Sequence, residues 1–431
     1  MLQDAEARLR RLELENSRLR RAVEELSILN EVASAVSSTY NLNEVVDLIV
    51  EKCVKHLRVE QGAVLLFETQ EENAALRTMV RRAHTDHHGL PFRLGDQLTG
   101  YMLRRQEPLL INDLRADGRF RLPAEAESVR SLLCVPLRLQ GQLIGVIAVF
   151  NKRAGEPFTE SDRRLLTIIA AQSAQVIENA RLYLEQQALV RMEQDMRTAQ
   201  EIQRKLLPTR DPELAGYEIA GRSESARDVG GDYFDFLETG DGRLCVCVAD
   251  VAGKGIAAAL LMANVQATMR SQSLTEAGLS RRLERANRLL HASTDYNKFV
   301  TMFYAVLDPS AHELQYSNAG HNPPWLIDDR PEARNLDIGG PVLGVFPEAA
   351  FEEQTVRLAP GDLLLIYTDG FADALNDCAE EFGEERLREL AVNLRTRPAA
   401  EIVERCFEEV RHFCGDAPPT DDMTMVTVRR L

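Results

Sequence analysis

The stretch Leu244-Cys245-Val246-Cys247-Val248-Ala249-Asp250-Val251-Ala252-Gly253-Lys254-Gly255 decides the fold of this chain. Leu244–Ala249 is apolar on both faces, the pattern of a central strand covered on either side. It runs into a carboxylate and then into Gly253 and Gly255, which permit a tight turn into the next helix. Three further aspartates close apolar, strand-like runs. They are Asp232 in Val229-Gly230-Gly231-Asp232-Tyr233, Asp369 in Leu365-Ile366-Tyr367-Thr368-Asp369-Gly370 and Asp421 in Thr420-Asp421-Asp422-Met423-Thr424. A carboxylate at the end of a buried strand costs desolvation energy unless something pairs with it. No Cys/His cluster accompanies the four, so a shared site would be all oxygen and suited to Mg²⁺ or Mn²⁺. That donor set points to two-metal hydrolysis of a phosphoryl group. Taken singly, each Asp-Gly or Asp-Asp pair is also what a turn uses.

Outward from this stretch the pattern is short strands and helices. Phe299–Leu307 and Glu313–Ser317, joined by Asp308-Pro309-Ser310, read as a hairpin. Helices are predicted over Ile256–Ser271, Ser280–Ser293, Glu384–Leu394 and Ala399–Phe413. Strands in pairs with helices in pairs suggest a layered α+β sandwich over 208–431. Cys245 and Cys247 point to the same face of their strand and read as small buried apolar residues. The seven cysteines are scattered without metal-knuckle spacing, as in a reducing compartment.

Upstream, Glu160 to Leu207 holds 48 residues without Pro or Gly, until Pro208 stops the helix. Thr159 caps it, with Asp162 three residues on. Ile169, Val176, Ala180, Tyr183 and Val190 keep one apolar seam, and Leu189, Met192, Met196, Ala199, Gln203 and Leu206 a displaced one. The register therefore slips near Gln187–Val190. Two readings stand: a two-state coiled-coil linker over 181–207, or one helix that changes packing partners. Before it, 28–180 is mixed. A helix is predicted over Leu42–Leu57 and strands over Gly62–Glu68, Leu76–Arg82, Leu132–Leu139 and Gln142–Asn151, the last two joined by the Gln140-Gly141 turn. The first 33 residues fit a heptad, with Leu2, Leu9, Asn16, Val23 and Asn30 at one core position and Ala5, Leu12, Leu19, Leu26 and Ala33 at the other. Residues 1–27 are read as a parallel dimer zipper rather than an amphipathic helix on its own domain.

The composition is 45% hydrophobic and 27% charged over 431 residues, enough for two globular domains plus connecting helices. Lysine and arginine number 51 against 67 acidic residues, for a net charge of −16, which argues against broad nucleic-acid or anionic-membrane binding. The first residues are charged rather than basic and then apolar, so no secretory leader is expected, and no apolar run is long enough to span a bilayer. A cytoplasmic location is expected.

Five motifs then occur in order. They are Ala226-Arg227-Asp228-Val229-Gly230-Gly231-Asp232-Tyr233-Phe234-Asp235, Ala249-Asp250-Val251-Ala252-Gly253-Lys254-Gly255, Asn318-Ala319-Gly320-His321-Asn322-Pro323-Pro324, Tyr367-Thr368-Asp369-Gly370 and Asp421-Asp422-Met423-Thr424. With the lead-in Ala199-Gln200-Glu201-Ile202-Gln203-Arg204-Lys205-Leu206-Leu207-Pro208, they make roughly 195–431 resemble the SpoIIE/RsbU-type branch of the PPM metal-dependent phosphatases. The resemblance implies an αββα sandwich holding two Mn²⁺ or Mg²⁺ ions, and dephosphorylation of phosphoserine or phosphothreonine on a partner protein. Carried over by position, Asp250 would bridge both metals with the Val251 carbonyl as a further ligand. Asp369 and Asp421 would complete one metal, Asp232 would lie beside the other through water, and Asp422 would hold Asp421 or a ligand water. His321 is either a general acid or part of a structural turn. Lys254 either attracts phosphate or is simply solvated.

The middle segment resembles a GAF domain, of α/β/α layering. The carrying residues are Leu94-Gly95-Asp96-Gln97-Leu98-Thr99-Gly100-Tyr101, Pro108-Leu109-Leu110-Ile111-Asn112-Asp113, Ser131–Leu137, Gly145–Val149 and Asn151-Lys152 with Phe158 and Asp162. Nucleotide-binding members carry Asp-Glu where this chain has Asp162-Arg163. His84, His87 and His88 read as solvated loop residues rather than a metal cluster. The whole reads as an α+β multidomain protein: coiled coil, GAF sensor, long helical linker and phosphatase. It is expected to act as a homodimer on a phosphorylated STAS-domain anti-anti-sigma protein. The alternative is a catalytically idle GAF/coiled-coil scaffold that binds partners, a class that usually loses metal ligands.

Overall fold

The computed structural model describes residues 41–67, 76–83, 92–120, 128–239, 241–294, 298–328 and 333–431, with a few isolated positions before residue 41. Most of the heptad segment 1–27 and the loop holding His84, His87 and His88 lie outside the described residues. The chain divides into two compact units, Met1–Arg191 and Met192–Leu431.

In the first unit, α1 (Leu42–Leu57), β1 (Val59–Phe67), β2 (Leu76–Ala83), α2 (Phe92–Arg105), β3 (Leu109–Ile111), β4 (Leu132–Leu139) and β5 (Gln142–Lys152) precede α3 (Glu160–Arg204). The strands form one antiparallel sheet in the order β2-β1-β5-β4-β3. Val45, Ile49 and Cys53 of α1 and Leu166, Ile169 and Ile177 of α3 bury one face against Val135 and Val149. Leu98 and Met102 of α2, with Leu114 and Phe120, cover Cys134 and Ala148 on the other. The α1 span coincides with the sequence expectation. The α2 helix was not foreseen, because Gly95 and Gly100 lower its propensity and burial against the sheet overrides them.

At the start of α3 the Thr159 N–H donates to Asp162 Oδ2 at 2.7 Å and the Asp162 N–H to Thr159 Oγ1 at 3.3 Å, a capping box with Asp in the third position. The helix runs 45 residues and stops short of the expected Leu207. The Lys205 and Leu206 amides bond the Ile202 and Gln203 carbonyls, tightening the last turn before Pro208. Leu182, Leu184, Leu189, Val190 and Met192 along its middle are exposed. No helix among the described residues is long and apolar enough to cross a membrane.

The second unit contains β6 (Tyr217–Glu224), β7 (Tyr233–Glu238), β8 (Leu244–Val251), α4 (Ile256–Ser273), α5 (Leu279–Ser293), β9 (Val300–Asp308), β10 (Glu313–Ala319), β11 (Trp325–Ile327), β12 (Arg334–Asn335), β13 (Gly339–Gly340), β14 (Gln354–Arg357), β15 (Leu363–Tyr367), α6 (Glu384–Leu394), α7 (Ala399–Cys414) and β16 (Met423–Arg430). One sheet runs β13-β10-β9-β8-β7 with β14 beside β10, and the other runs β12-β11-β15-β16-β6. Their inner faces meet through residues such as Val246, Val248, Phe303, Ile366, Val426 and Val428. Outside, α4 and α5 cover Cys245, Cys247 and Tyr304 through Met262, Val265 and Leu283. On the opposite side α6 and α7 cover Leu365, Tyr367 and Met425 through Leu387, Cys406 and Phe407. Cys245 and Cys247 are the buried same-face pair that the alternation requires.

The aspartates depart from expectation in one respect. Asp250 lies in the last pair of β8 and Asp369 just after β15, but Asp232 and Asp421 precede β7 and β16 rather than closing a strand. Antiparallel pairing is the reason. Tyr233 faces Ala249 and Tyr367 faces Met425, so each strand start lies beside its neighbour's end.

Candidate active site

Asp232 is buried, 4% exposed, directly after Gly230-Gly231. Its Oδ2 accepts a hydrogen bond from Thr368 Oγ1 at 2.8 Å, which ties the entry to β7 to the exit from β15 on the other sheet. Burial pushes its carboxyl well above the usual range, and repulsion from Asp250 adds to this. Asp250 is pushed up to about 7, first by burial and then by Asp369, Asp421 and Asp422, while a hydrogen bond with Asp232 pulls it down. The four aspartates thus share one electrostatic environment. Gly231 eases a close approach here, since a Cβ on it would stand 3.0 Å from the Val251 carbonyl oxygen.

Asp369 opens a single turn of tight helix, Asp369–Phe371. Burial raises its pKa, followed by Asp373 and Asp421, with the Gly370 amide and Lys254 opposing. Asp373, whose amide bonds the Asp369 carbonyl at 2.8 Å, is also raised, by burial and then by Glu381 and Asp421. Lys254 reaches Asp421 Oδ2 at 2.8 Å and donates to the Thr420 carbonyl at 2.7 Å, so it is engaged with the site rather than simply solvated. Asp422 accepts from the Ala226 amide at 2.8 Å and the Gly231 amide at 2.6 Å, and its own amide donates to Asp421 Oδ1 at 2.9 Å. Its carboxylate therefore holds the 226–231 loop, and its backbone orients Asp421.

His321 is buried, with Nδ1 2.9 Å from Thr301 Oγ1, and Thr301 is the cross-strand partner of Asp250. Burial lowers its pKa to about 4, so the ring is neutral near neutral pH. The Asn318 side chain bonds both the amide and the carbonyl of His321, at 2.7 and 3.0 Å, fixing the turn around it.

In the first unit, the GAF-like signature residues hold the fold. Asn151, with φ of 53°, accepts from the Arg130 and Ser131 amides and donates to Glu60 Oε2 and the Ser128 carbonyl. Lys152 Nζ lies 2.6 Å from Asp162 Oδ2, and Asn112 exchanges two hydrogen bonds with the Phe158 backbone.

The donors gathered in the second unit are carboxylates and one strand-end carbonyl, the set a hard divalent cation takes. They carry more negative charge than Lys254 offsets, which the raised Asp232, Asp250 and Asp369 express. Among the described residues no group of three or more acidic, histidine or cysteine side chains is placed to hold a metal ion. The fit to Mg²⁺ or Mn²⁺ is therefore one of donor chemistry and charge. Thr368 and Asp373 were missed in the sequence, although Thr368 adjoins Asp369 and Asp373 follows it one helical turn on.

Residues 240–431 match the family model described as Stage II sporulation protein E (SpoIIE), and residues 39–178 match that of the GAF domain. The chain is 29% identical over 258 residues to phosphoserine phosphatase RsbU of Bacillus subtilis, covering 58% of this chain and 75% of the relative. It is 28% identical over 264 residues to protein IcfG of a Synechocystis strain, covering 55% of this chain but only 41% of that relative. The SiaA-PP2C domain of Pseudomonas aeruginosa superposes with a TM-score of 0.50 at 21% identity, over 56% of this chain and 98% of that one, a likeness of fold.

Proposed function

We propose that this chain, which carries a SpoIIE-type protein serine/threonine phosphatase domain behind a GAF domain, is a signal-regulated phosphatase acting on a phosphorylated partner protein. The observation that carries the reading is the grouping of Asp232, Asp250, Asp369 and Asp421 at one end of two sheets, with three of their carboxyls raised by burial and mutual repulsion. Asp250, the Val251 carbonyl, Asp369, Asp421 and Asp232 would hold two Mn²⁺ or Mg²⁺ ions, with Asp422 supporting Asp421. Bound divalent ions supply neutralisation of phosphoryl oxygens and a nucleophilic water at neutral pH.

The chain's own residues do the positioning. Thr368 holds the Asp232 carboxylate, Asp422 holds the loop before it, and Lys254 steadies Asp421. The glycines at 230, 231 and 370 let backbone come close, since a Cβ at 370 would collide with the Asp422 carbonyl. The substrate we propose is the phosphoserine of a STAS-domain anti-anti-sigma protein, in keeping with the motif resemblance and with RsbU being a phosphoserine phosphatase. The protein would be a cytoplasmic homodimer through residues 1–27 and 181–207, with an input at the GAF domain relayed along α3.

Hydrolysis of p-nitrophenyl phosphate tests the reaction class. Mn²⁺-stimulated turnover that falls at least about a hundredfold in Asp250→Asn and Asp369→Asn is expected. Full turnover by both variants in excess metal would end the two-metal proposal.

A further inference from the structure

The last turn of α3 is bonded to the loop that carries Asp232. Gln203 is buried at 8% exposure, next to the exposed Ile202. Its Nε2 donates to the Gly230 carbonyl at 2.7 Å and its Oε1 accepts the Gly230 amide at 3.0 Å. One carboxamide thus satisfies both backbone groups of one residue, as a neighbouring strand would. The next amide, that of Gly231, goes to Asp422 at 2.6 Å, and Asp232 follows. A Cβ on Gly230 would stand 2.5 Å from Asp422 Oδ2, so a side chain there would displace the carboxylate that holds the loop. The loop is clamped between Gln203 and Asp422, with no slack before Asp232. The same helix end is tied to a second element, because the Leu206 carbonyl accepts from Gln266 Nε2 at 3.2 Å. Gln266 lies on α4, the helix that follows the Asp250 strand.

We infer that Gln203 is a positioning residue for Asp232: it fixes the Gly230-Gly231 backbone to the end of α3, so that displacement of that helix end moves an acidic group of the candidate site. A buried peptide unit that loses both partners is unfavourable, so the loop follows the helix rather than letting it go. The carboxamide is required for this, because only a group that both donates and accepts matches the N–H and C=O of Gly230. Any consequence for turnover rests on the phosphatase reading, whereas the clamp itself does not.

The test uses the full-length chain with Gln203→Met, which keeps the side-chain volume and removes both bonds, and Glu201→Ala as an exposed control. Hydrogen exchange in the metal-free protein is followed over 226–233. A rise of about tenfold or more in exchange at Gly230 and Gly231 in Gln203→Met, with none in the control, is expected. Calorimetric titration should show Mn²⁺ bound about tenfold more weakly by Gln203→Met, and kcat should fall with KM little changed. Exchange and Mn²⁺ affinity equal to the parent's in a folded Gln203→Met would overturn the inference. Should that variant not fold, Gln203→Leu, which also removes both bonds, takes its place under the same criteria. Absence of metal-dependent turnover in the parent would instead count against the phosphatase reading and leave the exchange result to decide the clamp.

Discussion

Asp250 concentrates the physical tension of the site. With the carboxyl at about 7 in the folded chain against an ordinary 3.8, holding it charged costs about 4 kcal/mol. Between those two values the folded state keeps a proton that the unfolded state has lost. Its contribution to metal-free stability is therefore favourable at low pH and declines as pH rises through the window. Asp250→Asn removes the charge but not the shape. The metal-free variant should melt several degrees above the parent at about pH 8, with the gap shrinking as pH falls and closing only near about pH 3.5, below the window. Equal melting at both would mean that neither burial nor its acidic neighbours disfavour a charged Asp250. Asp250 and Asp369 were legible as carboxylates closing apolar runs. Thr368 and Gln203 were not, since their contacts span 136 and 27 residues of chain and leave no local pattern.

At the scale of elements, apolar periodicity carried the helices α1, α6 and α7 and the β4–β5 hairpin nearly to their ends. It missed α2 and the edge strand β6, where glycine or mixed polarity masks a segment that neighbours cover. It also set Asp232 and Asp421 at the wrong ends of their strands, because pairing direction is not written in a single strand. The Asn151 side chain at the end of β5 holds four backbone and side-chain partners drawn from Glu60 and residues 128–131. Asn151→Ala should destabilise the first unit by about 2–4 kcal/mol through stranded partners. The loss should appear in a calorimetric scan as an earlier transition for that unit, with the second unit's transition unmoved. A scan identical to the parent's would show the network to be dispensable.

For the whole molecule, the proposed relay rests on the continuous span of α3 from the Thr159 capping box to the Gln203 clamp. Exposed apolar residues between Leu182 and Met192 leave the helix a surface for a second copy, as the proposed dimer requires. Deleting residues 1–27 should halve the mass seen by light scattering at low concentration if the zipper is the main contact. An unchanged mass would move the interface to the long helix. The central claim is that the acidic cluster performs metal-dependent phosphoserine hydrolysis on a protein. Its most direct measurement is phosphate release from a serine-phosphorylated STAS-domain protein by the full-length chain and by Asp250→Asn, with Mn²⁺ and with chelator. Release that requires both Mn²⁺ and Asp250 is predicted, and release indifferent to either, or none by the parent with Mn²⁺ present, would contradict it.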